Sequence, residues 1–295
     1  MRKLLIGIIA TMFCFICTAP ELASSATVKL NKTTLSLNEG ENFKLELKGA
    51  TGKITWKSFN TSIATVSKDG IVQGVAAGST TIMATRNKKK YACAVTVKHV
   101  PTPEELASAN FTIDSYETAQ GILAFVTNNN DDNLNVNVLL EFYDKEGTLV
   151  KNFNKMISVS EAKKQMAIAF HVFEDGYRFP YYSYKITVQA GFGKQAPLLS
   201  YIDKLQMDCT SFPAGHQMSV NIANKAEDTI VGICYTVVFY KDDKIVDAVQ
   251  QEISNIAKDE VKTEYIFTNM EIRNKKEQVE FDAYKVFINE AYINK

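Results

Sequence analysis

The residue types that usually carry catalysis or hold metal ions are sparse and scattered in this sequence. There are three histidines, His99, His171 and His216, and five cysteines. Zinc sites and metalloproteases place His, Cys and Glu at short fixed spacings, and neither HExxH nor a zinc-finger arrangement occurs. The GxSxG elbow, the Walker loop and a full GxGxxG are also missing, Gly191-Phe192-Gly193 having no third glycine. No catalytic residue, metal ligand set or cofactor is therefore expected. An exported hydrolase without a recognisable motif is the remaining enzymatic reading, and converging carboxylates or a buried histidine in a pocket would revive it.

Two stretches have compositions that suit binding. Asn128-Asn129-Asn130-Asp131-Asp132-Asn133 gathers oxygen donors in one loop, and Asn130, Asp131 and Asp132 are the calcium candidates. The loop lacks the spacing, glycine and closing glutamate of an EF-hand, and Asn and Asp are ordinary turn residues. A turn is the preferred reading. The second stretch is Tyr177-Arg178-Phe179-Pro180-Tyr181-Tyr182-Ser183-Tyr184, with five aromatics in eight residues. Strand side chains alternate, so these cannot all face one core. Tyr177, Phe179, Tyr181 and Tyr182 are the candidate contact residues for a sugar or a protein. Packing against a neighbouring domain is the other reading, and the one favoured.

The scaffold around these stretches reads as all-β. Tyr and Phe number 13 and 17 against a single Trp, with few Gly and Pro. At 295 residues the chain has room for two or three domains. Lys plus Arg and Asp plus Glu are equal at 33 each, so no net field points to nucleic acid or an anionic membrane.

The N-terminus carries Arg2 and Lys3, then the uncharged run Leu4 to Ala19, then Ala23-Ser24-Ser25-Ala26. That order is the grammar of a signal peptide over residues 1–26, with Ser24 and Ala26 before the cut. An uncleaved N-terminal anchor is the alternative, and either one exports the rest of the chain. Cys17 follows Phe15-Ile16, which does not suit lipid attachment. Removing the signal leaves Cys93, Cys209 and Cys234, an odd and sparse set. Cys209 and Cys234 are either one bridge or two ordinary half-buried thiols.

Residues 27–98 show short apolar-alternating segments separated by turns. Phe43 to Leu47 reads as one strand, Ile54 and Trp56 alternate about Thr55, and Lys68-Asp69-Gly70 reads as a hairpin turn. Trp56 is expected to fill the space between two sheets. Leu37, Gly40, Trp56-Lys57-Ser58, Asn60, Ala64-Thr65-Val66, Gly70, Val72, Gly78, Thr81-Ile82 and Val95-Thr96-Val97 follow in order. In that combination the segment resembles the bacterial Ig-like domain of group 2. The resemblance implies a β-sandwich of an exported surface protein, used as a spacer or to present an adhesive tip.

His99 to Glu105 contains Pro101 and Pro103, and residues 99–108 read as an extended linker. Beyond it the sequence repeats. Leu134 to Asp144 (LNVNVLLEFYD) answers Val231 to Lys241 (VGICYTVVFYK), and Tyr184-Lys185-Ile186 answers Tyr284-Lys285-Val286. Residues 109–195 and 203–295 are read as two related sandwiches. Phe142-Tyr143-Asp144 with Gly147 resembles the FxLYD-type exported sandwich, and Phe239-Tyr240-Lys241 matches it less fully. That family brings no chemistry with it.

The expected molecule is thus a signal peptide followed by three tandem antiparallel β-sandwiches of Ig-like type. It is read as a secreted or cell-surface, non-enzymatic bacterial protein for binding, adhesion or display. The partner would be a protein or glycan at the surface, with no nucleic acid and no membrane span once the signal is removed. The alternative is a spacer or envelope-assembly component without its own ligand. No sorting motif or apolar tail precedes Lys295, so covalent wall attachment is not expected.

Overall fold

The computed structural model describes residues 27–174, 177–192, 199–212, 217–272 and 275–293. The expected signal peptide and His216 lie outside the described residues. The chain forms two compact units, residues 1–100 and 101–295.

The first unit contains β1 (Lys29–Leu30), β2 (Thr34–Asn38), β3 (Asn42–Lys44), β4 (Leu47–Lys48) and β5 (Thr55–Ser58). It continues through β6 (Ala64–Val66), β7 (Ile71–Gly74), β8 (Gly78–Arg86) and β9 (Lys89–Lys98). One sheet runs β2-β9-β8-β5 and faces a second of order β3-β7-β6. Apolar residues at every second position meet between them, with Leu37, Leu45, Val72, Ile82, Cys93, Val95 and Val97 all buried. Asn87 and Lys88 both take positive φ, the conformation of a two-residue hairpin, and join β8 to β9.

Two details depart from the sequence reading. The segment Phe43 to Leu47 is not one strand, because Leu45 N–H leaves the β3 ladder and donates to Gly70 O at 2.9 Å. β3 and β4 therefore join different sheets. Also, β2 pairs parallel to β9, Thr34 opposite Ala94, so this sheet is not purely antiparallel. The two strands come from opposite ends of the module, so no hairpin fixes their relative direction.

The second unit opens with a helix where an extended linker was expected. α1 (Pro103–Ala109) has Thr102 as N-cap, its side chain accepting from Glu105 N–H while Glu105 reaches back to Thr102 N–H. Pro103 sits in the first turn, where its missing N–H is no loss and its fixed φ suits the helix. The T-P-E-E order is a capping box with proline at the first helical position.

Repeat 1 then comprises β10 (Phe111–Glu117), β11 (Gly121–Asn128), β12 (Leu134–Tyr143), β13 (Leu149–Ser160) and β14 (Gln165–His171). It ends with the short hairpin β15 (Phe173–Glu174) and β16 (Tyr177–Arg178), then β17 (Ser183–Gly191). Repeat 2 has β18 (Leu205–Phe212), β19 (Gln217–Asn224), β20 (Ile230–Lys241), β21 (Lys244–Ile256) and β22 (Val261–Phe267). It ends with β23 (Asn269–Ile272), β24 (Lys275–Gln278) and β25 (Ala283–Tyr292). Strand order is the same in both, β10-β11-β14 facing β13-β12-β17, and β18-β19-β22 facing β21-β20-β25.

The repeats share fine structure as well as topology. Asn128 and Asn224 are fully buried, and each Nδ2 donates to two carbonyls, of Asp132 and Ser160 or of Asp228 and Ile256. Each Oδ1 accepts the N–H two residues on, from Asn130 or Ala226. The bulges after Phe142 and Phe239 also correspond.

The two sandwiches do not hang as separate beads. The outer face of the β10-β11-β14 sheet lies against the outer face of the β21-β20-β25 sheet. Leu123, Phe125, Ala167 and Ala169 meet Val238 and Ala248 there, all buried. β11 and β20 are consequently covered on both faces, and β14 lies across all three strands of the opposing sheet. Gly121 opens β11 so close to its neighbour that a Cβ there would stand 1.8 Å from Phe170 O.

Candidate functional site

The aromatic run closes one end of the repeat 1 sandwich. β16 ends at Arg178, Pro180 cannot donate to a ladder, and the chain crosses the open end of the core before β17. Phe142, fully buried, is the hub. Phe179 meets it edge-on at 4.8 Å between centroids, Tyr181 lies at 4.5 Å, and Phe153 and Tyr184 at about 6 Å. Edge-to-face and tilted geometries at these distances are the favourable ones for aromatic pairs. Lys151 Nζ lies 5.7 Å from the Phe153 ring centre and 5.6 Å from that of Phe179.

The polar ends of this cluster are paired. Tyr181 Oη donates to Glu117 at 3.0 Å, and Arg178 donates to both Tyr181 Oη and Glu117. Burial and the Glu117 carboxylate push the Tyr181 hydroxyl above its ordinary pKa. Phe179 and Tyr181 therefore belong to the core they cap, and each keeps only part of its surface in water. Tyr182 points out, 68% exposed, its N–H bonded to Tyr143 O. The side chain of Tyr177 lies outside the described residues. The two repeats meet through Leu123, Phe125, Val238 and Ala248, and the described side chains of this run are not in that cluster.

The Asn/Asp loop is a turn built on Asn128. Asn130 bonds Asn128 and the end of α1 at Ala107 O, Asp131 pairs with Lys163 at 2.8 Å, and Asp132 offers its backbone carbonyl inward. Lys163 holds the exposed Asp131 carboxyl below its usual range. Among the described residues no three His, Cys, Asp or Glu side chains converge as a metal ligand set.

All three described cysteines are free. Cys209 belongs to the repeat 2 core, whereas Cys234 lies on the opposite face of β20, against repeat 1. The two thiols cannot be bridged across the sheet between them. Burial pushes Cys234 up to about 12, so it is held as a thiol and is no nucleophile.

The richest polar geometry lies between the repeats, a place the sequence reading missed. β14 is an edge strand, and repeat 2 satisfies its outward backbone with side chains. Asn289 Oδ1 accepts Ala167 N–H at 2.9 Å, while Asn289 Nδ2 donates to Ala167 O at 2.8 Å. Thr236 Oγ1 donates to the same carbonyl, and Gln250 Oε1 accepts Ala169 N–H. Asn289 reaches this position because β25 carries one extra residue opposite Cys234 and Tyr235. Glu290 does the same for β13, accepting from the N–H groups of Ser158 and Val159. At the far end Asp247, fully buried, accepts from Gln120 N–H at 3.2 Å and Gln120 Nε2 at 2.6 Å.

A cleft of about 500 Å³ opens beside this contact, lined by Met156, Ser158, Cys234, Glu252, Glu290 and Tyr292. It brings two carboxylates near one another, the pattern that would revive an enzymatic reading. Glu290, however, is committed to backbone donors, and Lys155 stands 4.0 Å from Glu252. The described histidines are elsewhere, His99 bonded to Glu39 and His171 beside Phe173. The arrangement joins two sandwiches and sets up no nucleophile with a base.

A search of curated proteins gave no match. Among solved structures, domains 4 and 5 of the S-layer protein SbsC are 30% identical over 24% of this chain and 50% of theirs, with a TM-score of 0.21. This chain thus spans half the length of that structure. Domains 5–6 of SbsC are 16% identical over 79% of this chain and 97% of theirs, with a TM-score of 0.22. Domains 4–9 give 16% identity, 79% and 31% coverage and a TM-score of 0.22. The family model of the bacterial Ig-like domain (group 2) matches residues 24–97, which fit the two facing sheets of the first unit. Over those residues the chain is a bacterial Ig-like domain of group 2.

Proposed function

We propose that this is an exported, non-enzymatic surface protein that binds a protein or glycan through its second unit, the group 2 Ig-like domain serving as spacer. Residues 1–26 act as the signal peptide, and the two repeats are sandwiches of the FxLYD type. The observation that carries the binding reading is an exposed apolar row on the outer face of β18-β19-β22. Phe212, Val261, Tyr265 and Phe267 there are each about half exposed, with Ser219, Asn221 and Thr263 between them. The corresponding face of repeat 1 is the one buried against repeat 2, so a solvent-facing role is not demanded by the fold. A spacer without a ligand would keep such a face polar. Tyr182 adds an exposed aromatic on repeat 1.

The test is a glycan array and a surface pull-down with the mature protein, comparing wild type, Tyr265→Ser/Phe267→Ser and Tyr182→Ala. Loss of retention in the first variant supports the reading. Equal retention by all three, or none by wild type, leaves the spacer.

A further inference from the structure

The contact between the repeats contains a carboxyl group with no cation to balance it. Asp247 has no exposed surface, and its acceptors are filled from the other repeat by the Gln120 backbone N–H and Nε2. Ala119 N–H donates to Val246 O at 3.0 Å, so the whole β10–β11 turn is docked on the β21 bulge. Thr118 and Gln120 in that turn are buried too. Charged or titratable side chains on the surrounding elements are Tyr116 and Glu117 on β10, His171 on β14, Tyr240 and Lys241 on β20. Asp114 on β10, Cys234 and Tyr235 on β20, Lys244 and Glu252 on β21, and Tyr284, Lys285, Glu290 and Tyr292 on β25 complete the set. Burial raises the Asp247 pKa, and the groups that offset it are neutral donors, Gln120 and the Ala248 N–H.

A second carboxylate repeats the theme. Glu290 is 8% exposed and bonds across the contact to neutral donors, the N–H groups of Ser158 and Val159 and the Ser158 side chain. It faces Glu252, whose charge adds to the effect of burial and raises its pKa further. An ion removed from water without a counter-ion is costly, and neutral donors offset only part of that cost.

We propose that the contact between the two repeats is a proton-sensitive joint, closed most firmly when Asp247 is protonated and weakened when it ionises. The sign follows from the two environments. Burial pushes Asp247 up to about 6 in the closed joint. In an open joint it would return to the ordinary value of about 3.9. Closing therefore takes up a proton in this interval. The extra stability is complete below about pH 4, falls as pH rises through about 6, and is gone above that. A difference of about two pKa units weakens the closing equilibrium about 100-fold between the limits.

The test uses the mature chain. Hydrogen exchange of the Ala119, Gln120 and Ala167 amides is followed from pH 4.5 to 7.5, each point compared with Asp247→Asn so that the chemical exchange rate cancels. Over this interval the wild type should lose about 25-fold of protection relative to the variant, which carries a neutral group throughout. Carbon NMR of the Asp247 carboxyl should show a midpoint well above that of an exposed aspartate. Gln120→Ala, which removes one donor to the carboxylate, should move that midpoint higher still. A wild-type profile parallel to that of Asp247→Asn, or an ordinary carboxyl midpoint, overturns the proposal. Should Asp247→Asn fail to fold, the wild-type midpoint and its displacement in Gln120→Ala decide the question alone.

Discussion

Replacing Asn289 by alanine tests whether one side chain seals the edge of repeat 1. Its carboxamide mimics a missing strand, accepting from Ala167 N–H at 2.9 Å and donating to Ala167 O at 2.8 Å. In Asn289→Ala the carbonyl keeps a partner, because Thr236 Oγ1 also donates to it. The amide does not. Orphaning a buried N–H costs about 1–3 kcal/mol, and the truncated, buried side chain leaves a small void besides. A loss of about 2–3 kcal/mol is expected, equivalent to about 30- to 150-fold in protection of the Ala167 amide. Hydrogen exchange of that amide reads the effect directly. An internal control is built in, since the only tryptophan, Trp56, belongs to the first unit. The denaturation transition seen by Trp56 fluorescence should not move, while tyrosine circular dichroism from the second unit should shift to lower denaturant. Unchanged Ala167 protection would show that the edge is sealed without Asn289. A parallel shift of the Trp56 transition would show that the units do not unfold independently.

Two further substitutions probe the cores. Gly70→Ala places a Cβ 2.6 Å from Leu45 O and 2.8 Å from the Trp56 ring, at φ +82°. The Trp56-detected midpoint should fall by about 1–3 kcal/mol, and an unmoved midpoint would mean the ring is not seated on Gly70. Phe142→Ala removes the ring on which Phe153, Phe179, Tyr181 and Tyr184 converge. A loss of about 3–5 kcal/mol in the second unit is expected, with Tyr181 becoming accessible to nitration, and retained Tyr181 protection would refute the capping geometry.

Features that depend on one strand or one turn were legible in the residues. The alternation of β12 assigned Leu134, Val136, Val138, Leu140 and Phe142 to the core, and all five are buried. In β20 the same register places Ile233, Tyr235, Val237 and Phe239 inward, but Val231 is only partly buried and Ile230 is fully buried instead. Asp144 shows why the Tyr-Asp landmark is local chemistry. Its carboxylate accepts from Glu146 N–H and Thr148 N–H and so holds the turn that leads into β13. Repeat 2 has Lys241 instead because its turn is a two-residue one, with Asp242 and Asp243 both at positive φ. The helix over Pro103–Ala109 has its signal in the Thr102–Glu105 spacing, and Pro103 breaks no helix because it stands in the first turn.

The stacking of the repeats is a different kind of miss, because its signal lay in what failed to alternate. LNVNVLLEFYD sets Asn135, Asn137 and Glu141 on the outer face of β12, where they meet solvent. VGICYTVVFYK sets Gly232, Cys234 and Val238 at the corresponding positions, and GILAFV in β11 has no polar face at all. A strand apolar on both sides needs cover on both sides. One sandwich supplies only one cover, so each of these strands required a further layer, and the two supply it for one another. The polar members of the contact could not be read in this way. Asn289, Gln250, Glu290 and Asp247 resemble surface residues in sequence, and they are drawn inward only because the other repeat meets them, through its edge strands β14 and β13 and its β10–β11 turn. The apolar excess of β11 and β20 thus announces that the repeats stack, while the edge they cover decides which amides and carboxylates are drawn inside.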